Sequence, residues 1–371
     1  MATAHSRRRW LWLLVAALLF ALAAWLMAGS ELEHAEAVEK VTFPRQMTRA
    51  EADRVELRKS MPEPVPVLGQ PRAKPQPRDP ILAAMPPDVK HGAIVIEANA
   101  IRNSDLGNLM VDCIFTGQGE VIAKMQDAGF DPLNNLDRVA VADEAVMLTG
   151  DFKKTDFATL MQAGNRRQFG PNSELFSRDL ADGGAGEQMG LWKGQVLVVG
   201  EKPEDVTAVL DRLDGNGDPD AKHVLSEADS YGEMYGVLKA APLAEGLSEQ
   251  NPELARLLEE SAGSIKLHAD VTHDVGVVAD VEGNDPSKTR DLRKAFGTAL
   301  TLARLQAEAK GDKNAAEVLG YARVAAAEGD SASFRLEAGL PYEFLEKQLK
   351  ACVANKKRRI AERARGDGGA D

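Results

Sequence analysis

Residues 10–28 read WLWLLVAALLFALAAWLMA, an uncharged apolar run of 19 residues directly after Arg7, Arg8 and Arg9. At 1.5 Å per residue a helix of that length is about 28 Å long, close to the roughly 30 Å hydrocarbon core of a bilayer. Glu31, Glu33, Glu36 and Glu39 follow the run. Arginines before it and carboxylates after it predict a cytoplasmic N-terminus and export of everything beyond Gly29, because Lys/Arg asymmetry sets orientation. Trp10, Trp12 and Trp25 lie near its ends, where indole rings favour the headgroup level. The rival reading is a cleaved signal peptide, with an apolar core of about 7–15 residues and a small-x-small site beyond it. Ala21-Leu22-Ala23 has that pattern but sits inside the run, so retention as an anchor is the expectation. No cysteine lies near the end of the run, so lipoprotein processing has no acceptor. Under either reading the body is expected outside the cytoplasm. With the anchor retained, the chain is a single-pass protein of the inner membrane with its body in the periplasm.

The chain has 371 residues, enough beyond residue 90 for one large or two ordinary domains. Its net charge of −12 argues against nucleic acid as a partner, since phosphate binding needs a basic surface. The only two cysteines are Cys113 and Cys352. An oxidising envelope would allow them to pair, but pairing geometry is narrow and free cysteine behaves as a small hydrophobe. Two separately buried thiols are therefore expected, with a Cys113–Cys352 disulfide as the alternative.

Beyond the anchor, Thr48–Lys59 reads as a short exposed helix with Glu/Arg pairs at helical spacing. Residues 62–87 then hold nine of the chain's 18 prolines. Proline lacks the amide donor and fixes φ, so this stretch is predicted to be an extended polyproline stalk of roughly 80 Å. The folded body is expected to begin near His91. A strand at 93–98, helices at 104–115 and 120–127, a hairpin over 137–152, a helix at about 155–161, a hairpin over 189–200 and a helix from Pro203 make a first half. Residues 164–186 are expected to be mostly loop or short edge strands. A strand at 231–238, helices at 241–247 and 252–261, a hairpin over 265–282, helices at 287–310 and 313–327, a strand at 331–338 and a helix from Pro341 make a second. The predicted organisation is thus α+β with antiparallel sheets. Residues 1–30 form the cytoplasmic tip and transmembrane anchor, 31–90 a polar and Pro-rich linker, and 91–215 a first α+β module. A second, related module covers 222–355, and 356–371 form a basic tail. The competing architecture is one continuous sheet with helices on one face.

The string Gly129-Phe130-Asp131-Pro132-Leu133-Asn134-Asn135-Leu136-Asp137-Arg138-Val139 resembles a recurrent G-x-D-P-x-x-x-L-D-x-V passage. That passage is associated with uncharacterised, membrane-anchored envelope proteins of myxobacterial type, in which a strand pair follows it and a second β-rich half comes later. The layout is similar over about residues 90–350 and specific over those eleven positions. The resemblance implies no activity. Physically, Asp-Pro makes a turn while Leu136 and Val139 suit a core.

Four constellations contain residue types that can carry chemistry. Asp214-Gly215-Asn216-Gly217-Asp218-Pro219-Asp220 begins like a calcium loop, but Pro219 replaces the required glycine and Leu225 the bidentate glutamate, so an acidic inter-module loop is expected. His268, Asp270, His273 and Asp274 are metal-ligand types. With Ile265, Leu267, Ala269 and Val271 as the inward set, however, His268 and Asp270 are predicted to face solvent, and His273-Asp274 to form a turn. Gly184, Gly186 and Gly190 have the wrong spacing and context for a dinucleotide loop. Lys356, Lys357, Arg358 and Arg359, followed by Arg363 and Arg365, make a basic end. It reads as a solvated helix terminus or, alternatively, as a contact for an anionic surface such as lipid headgroups or cell-wall polymer.

No catalytic, metal or cofactor pattern survives. The function expected from sequence is a non-enzymatic binding or scaffold protein that meets an envelope protein or polymer. A carrier holding an apolar ligand under the helices at 287–310 and 313–327 is the alternative, and an unrecognised enzyme the second alternative.

Overall fold

The computed structural model describes residues 41–59, 78–143, 145–161, 165–179, 185–200, 202–216, 223–249, 251–326 and 332–366. The apolar run at 10–28 and the prolines at 62, 64, 66, 71, 75 and 77 lie outside them. None of the described helices is long and apolar enough to cross a membrane.

In chain order the elements are α1 (Arg49–Leu57), α2 (Pro80–Ala84), β1 (Gly92–Ile96), α3 (Ala98–Arg102), α4 (Asp105–Phe115), α5 (Gly119–Asp127), β2 (Leu136–Ala142), β3 (Ala145–Gly150) and α6 (Phe157–Met161). There follow β4 (Asn165–Phe169), β5 (Ser173–Asp179), β6 (Ala185–Trp192), β7 (Val196–Gly200) and α7 (Pro203–Leu213). The second half has β8 (Met234–Lys239), α8 (Ala240–Leu247), α9 (Pro252–Ser261), β9 (Ala262–Asp270), β10 (Val275–Gly283), α10 (Pro286–Ala309), α11 (Lys313–Gly320), β11 (Ala322–Ala326), β12 (Ser333–Leu340) and α12 (Tyr342–Gly366).

The expected α+β class is present, as a single antiparallel sheet of twelve strands in the order β11-β12-β10-β9-β8-β1-β2-β3-β7-β6-β5-β4. The sheet is continuous, yet its halves repeat one plan. Outward from the centre, β1-β2-β3-β7-β6 on one side matches β8-β9-β10-β12-β11 on the other. Both halves run strand, helices, hairpin, insertion, hairpin, helix. The first carries the extra β4–β5 hairpin at its edge, and the second carries α10 and α11.

Alternation along the strands gives the sheet two packed faces. On one, α2 and α7 cover Ala93, Val95, Ala140, Met147, Val198, Tyr235 and Val237. On the other, α8, α9 and α10 cover Ile265, Val281 and Phe334. Helices therefore lie on both faces.

The N-terminal boundary differs from expectation. Among the described residues Val41 is already buried, so the fold does not begin near His91. The helix at 48–59 forms, with Thr48 and Glu51 exchanging the two hydrogen bonds of a capping box. It is docked rather than exposed, because Glu51 and Val55 are buried. The tail of the expected polyproline stalk is also core. Asp79 caps α2, Pro80 occupies its first turn, and Ile81 through Met85 are buried. Proline is helix-compatible at that one position, and the run Ile-Leu-Ala-Ala-Met supplies the apolar surface. A further difference lies at 313–327. The helix ends at Gly320, and Ala322–Ala326 form strand β11, paired with β12. Alanine-rich sequence concealed an edge strand, which cross-strand pairing stabilises against propensity. Residues 165–179, expected to be mostly loop or short edge strands, form β4 and β5 at one edge of the sheet.

Candidate functional site

In the first half, α7 returns over the sheet and packs on β6 and β7. In the second half α12 takes a different course and packs along α4. The sheet face left without a helix carries Lys266, His268 and Asp270 from β9, Val278, Asp280 and Glu282 from β10, and Ser333, Arg335 and Glu337 from β12. The register Val278↔His268, Val278↔Glu337 and Asp280↔Arg335 sets these side by side. Residues 41–51 run across this face as a strap. Their approach is close where Gly276 pairs with Gly339. A Cβ at Gly276 would lie 2.3 Å from the Thr42 carbonyl oxygen, and one at Gly339 3.0 Å from Val41 Cγ1.

Strap and sheet enclose a cleft of about 920 Å³, lined by Phe43, Arg45, Glu51, Tyr231, Lys266, His268, Asp270, Asp280, Glu282 and Arg335 among others. Each of its three cations is paired with a carboxylate. Arg335 donates to both oxygens of Asp280 at 2.7 and 2.9 Å. Lys266 lies 3.1 Å from Glu282 and 3.5 Å from Asp229. Arg45 reaches across the strap to Glu337 at 2.8 and 3.2 Å, and Arg323 donates to the same carboxylate. Burial would raise the Glu337 carboxyl, but the hydrogen bonds from Arg45 and Arg323 outweigh it and hold it below its ordinary value.

His268 is the site residue that sequence placed wrongly. Expected toward solvent, it is 2% exposed. Its ring stacks on Tyr231 with centroids 3.7 Å apart and planes 4° apart, and its Nδ1 lies 3.3 Å from the Tyr231 carbonyl oxygen. The strand alternates as its pattern predicts, with Ile265, Leu267 and Ala269 buried on one face and Ile265 packed under the helices. A strap from more than 200 residues earlier in the chain covers the opposite face. Desolvation lowers the His268 pKa and favours the neutral imidazole.

Beside the cleft, Glu233 is 6% exposed. Burial, then the adjoining Asp270 carboxylate, which shares a hydrogen bond with it, push Glu233 up to about 7 against the pull of Arg54. Arg54 of α1 lies 3.7 Å from both Glu51 and Glu233. Glu51 accepts a hydrogen bond from the Gly232 amide at 2.6 Å. At the end of α1, Arg58 grips both oxygens of Glu97 at 2.7 and 2.6 Å, and Tyr235 Oη donates to Glu97 at 3.1 Å. The strap is thus fastened at both ends. Sequence reasoning missed these fastenings, which join residues far apart in the chain.

The other singled-out residues have clear placements. Cys113 and Cys352 form a disulfide with Cα atoms 5.7 Å apart, which corrects the expectation of separate thiols. The pairing joins α4 to α12 across 239 positions, a contact that spacing could not reveal. Lys356 does not project to solvent as a free cation. Its ammonium donates to the carbonyls of Cys113 at 2.6 Å and Ile114 at 3.1 Å, closing the C-terminal end of α4. Lys357, Arg358 and Arg359 are exposed. His273 stacks on Tyr342 at 5.1 Å, and Asp274 accepts from the Tyr342 amide, so both hold the start of α12. Asp214 accepts from Trp192 Nε1 at 2.9 Å and from Asn172 at 3.1 Å. Residues 217–222 of the acidic loop, and Gly184, lie outside the described residues. Among the described residues no group of three or more His, Cys, Asp or Glu side chains is placed to hold a metal ion.

A second cavity, of about 550 Å³, lies on the first half between α6 and the β4–β5 hairpin. Lys153, Lys154, Arg166 and Lys193 surround it over a floor that includes Phe152, Phe157 and Phe176. Comparison with family models, with curated proteins and with solved structures gives no match for this chain.

Proposed function

We propose that this chain is a membrane-anchored, exported, non-enzymatic binding or scaffold protein of the cell envelope. Its cleft takes a neutral, hydroxyl-rich polymer. The observation that carries the reading is that every cation of the cleft is already held by a carboxylate. Arg335 is held by Asp280, Lys266 by Glu282 and Asp229, and Arg45 by Glu337. A ligand with net charge would break these pairs, whereas hydroxyl groups can donate to and accept from them in place. The lining carboxylates Glu51, Asp229, Asp270, Asp280 and Glu282 outnumber the lining cations Arg45, Lys266 and Arg335, which disfavours an anion. The disulfide supports export, because such bonds persist in oxidising compartments. The apolar run after Arg7-Arg8-Arg9 supports the anchor. An apolar carrier is less well supported, since Leu292, Phe296 and Phe334 pack into the space beneath α10.

The test is co-sedimentation of the full chain, kept in mild detergent, with an insoluble neutral polysaccharide, chitin. Binding by the native chain, lost in Lys266→Ala and Phe43→Ala variants of unchanged thermal stability, supports the proposal. No sedimentation, or sedimentation indifferent to both variants, overturns it.

A further inference from the structure

Among the described residues six large apolar side chains are strongly exposed: Leu57, Ile114, Val121, Leu302, Leu305 and Ile360. Three of them belong to helices that come together at the turn around Gly117. Ile114 ends α4, Val121 opens α5, and Ile360 of α12 lies across the turn between them, its Cδ1 2.9 Å from where a Gly117 Cβ would stand. Helix α5 has no buried residue, so this helical corner lies largely open. The disulfide and the Lys356 bonds to the Cys113 and Ile114 carbonyls lock α12 against α4, so the patch is held as one surface. Cations border it. Lys124, Lys357, Arg358 and Arg359 are exposed, and the same helices carry the exposed carboxylates of Asp112, Glu120, Asp127 and Glu362, the last 3.8 Å from Arg358. The positive charge is concentrated in the consecutive run Lys356–Arg359 on α12, in a chain of net charge −12.

We infer that this corner, Ile114, Val121 and Ile360 with Lys357, Arg358 and Arg359, seats the body on an anionic phospholipid surface. Two arguments select that occupant over a second copy or a protein partner. One is charge complementarity. Apolar tips flanked by Lys and Arg match a layer with anionic headgroups above acyl chains, and each cation near such a surface contributes about 1 kcal/mol. The other is reach. Val41, the first described residue, packs on Gly339, three positions before α12 begins at Tyr342. From Tyr342 to Ile360 the helix is about 27 Å long. The twelve residues 29–40 that separate the apolar run from Val41 can span at most about 40 Å. The tether therefore allows the bilayer to meet this corner and forbids the body from standing far from it. The inference rests on the anchor reading proposed above and is independent of the cleft's ligand.

The experiment reconstitutes the full chain into nanodiscs of phosphatidylcholine alone or of phosphatidylcholine with phosphatidylglycerol, and follows amide hydrogen exchange. Recovery of the chain in discs reports on the anchor, and exchange reports on the corner. The expected result is slower exchange over 114–127 and 356–362 only with phosphatidylglycerol present. Reversal of Lys357, Arg358 and Arg359 to Glu should reduce the docked fraction by on the order of a hundredfold. Ile360→Ser, which leaves the charges in place, should also lose protection. Equal exchange in both discs, or protection that survives charge reversal, overturns the inference. Protection seen only in discs that hold two chains assigns the corner to self-association and also overturns it. A chain that fails to enter discs overturns the anchor reading and this inference together.

Discussion

Arg138 of β2 donates to both carboxylate oxygens of Asp79, at 2.6 and 2.8 Å, with the two side chains 5% and 2% exposed. Asp79 also accepts from the Ile81 amide at the start of α2. One carboxylate therefore neutralises a buried guanidinium and caps the helix that seals the core beneath it. Asp79→Ala should cost about 3–5 kcal/mol, because it leaves Arg138 buried without a counter-charge. Denaturant unfolding measures this. A loss under about 1 kcal/mol would mean that water or another acceptor reaches Arg138, and that 78–85 is peripheral after all.

The Glu233–Asp270 pair predicts a pH dependence of definite sign. Glu233 has an ordinary value of 4.5 and a folded value of about 7. Between these the native state binds more protons than the unfolded one. Stability from this group is complete below pH 4.5 and is lost as the pH rises through 7. In Glu233→Gln the neutral partner is permanent, so the variant should gain on the native chain as pH rises from about 5 to 8 and level off beyond. Glu337, whose pKa is lowered, titrates in the opposite sense in both proteins. The difference in Tm between variant and native chain is therefore the readout. A difference that does not change with pH would show that Glu233 is ionised throughout.

Reduction of the Cys113–Cys352 bond, or its replacement by serines, should lower stability by about 2–5 kcal/mol, given the length of chain it closes. The loss should be local in its signature. Amide exchange should rise first in α4 and the C-terminal part of α12, while the sheet centre around β1 and β8 stays protected. Uniform acceleration across the sheet would contradict a fastening role confined to this corner.

Proteolysis within 60–77 should nick the chain without freeing the body from whatever holds residue 41. The strap remains attached through Arg58–Glu97, Glu51–Gly232 and Arg45–Glu337. The two fragments should co-purify in native buffer and separate in denaturant. Immediate release after the cut would mean that these contacts do not persist in solution.

The helices were the most legible elements. Ser104 before α4, Pro203 at α7 and Pro286 at α10 announce their starts through local chemistry, which acts within a few residues. The hairpin β9–β10 was legible for a similar reason, since its alternation is strong and its turn is tight. The cleft was not legible. His268 gives a strand position and a residue type, but nothing near it in sequence says that Phe43 and Arg45 will cross above it. The same holds for Asp79 and Arg138, which are 59 residues apart, and for Cys113 with Cys352. Proline content misled at 80–87 because one proline at a first helical turn looks the same, in composition, as one in an extended linker.

At the middle of the sheet, β1 and β8 pair antiparallel about Ile94 and Gly236, with equal ladders on either side. Each is the first strand of its half, and each half continues outward in the same order. One such half standing alone would present its first strand as an open edge, a template for pairing. Two identical halves would satisfy that edge by a twofold axis through the pair, the isologous contact of a symmetric dimer. Gene duplication and fusion would convert that dimer into one polypeptide without inventing any new strand contact. Divergence would then be free to act where the halves now differ. Where α7 closes one face of the first half, its positional counterpart α12 lies against α4, and the N-terminal strap crosses the corresponding face of the second half.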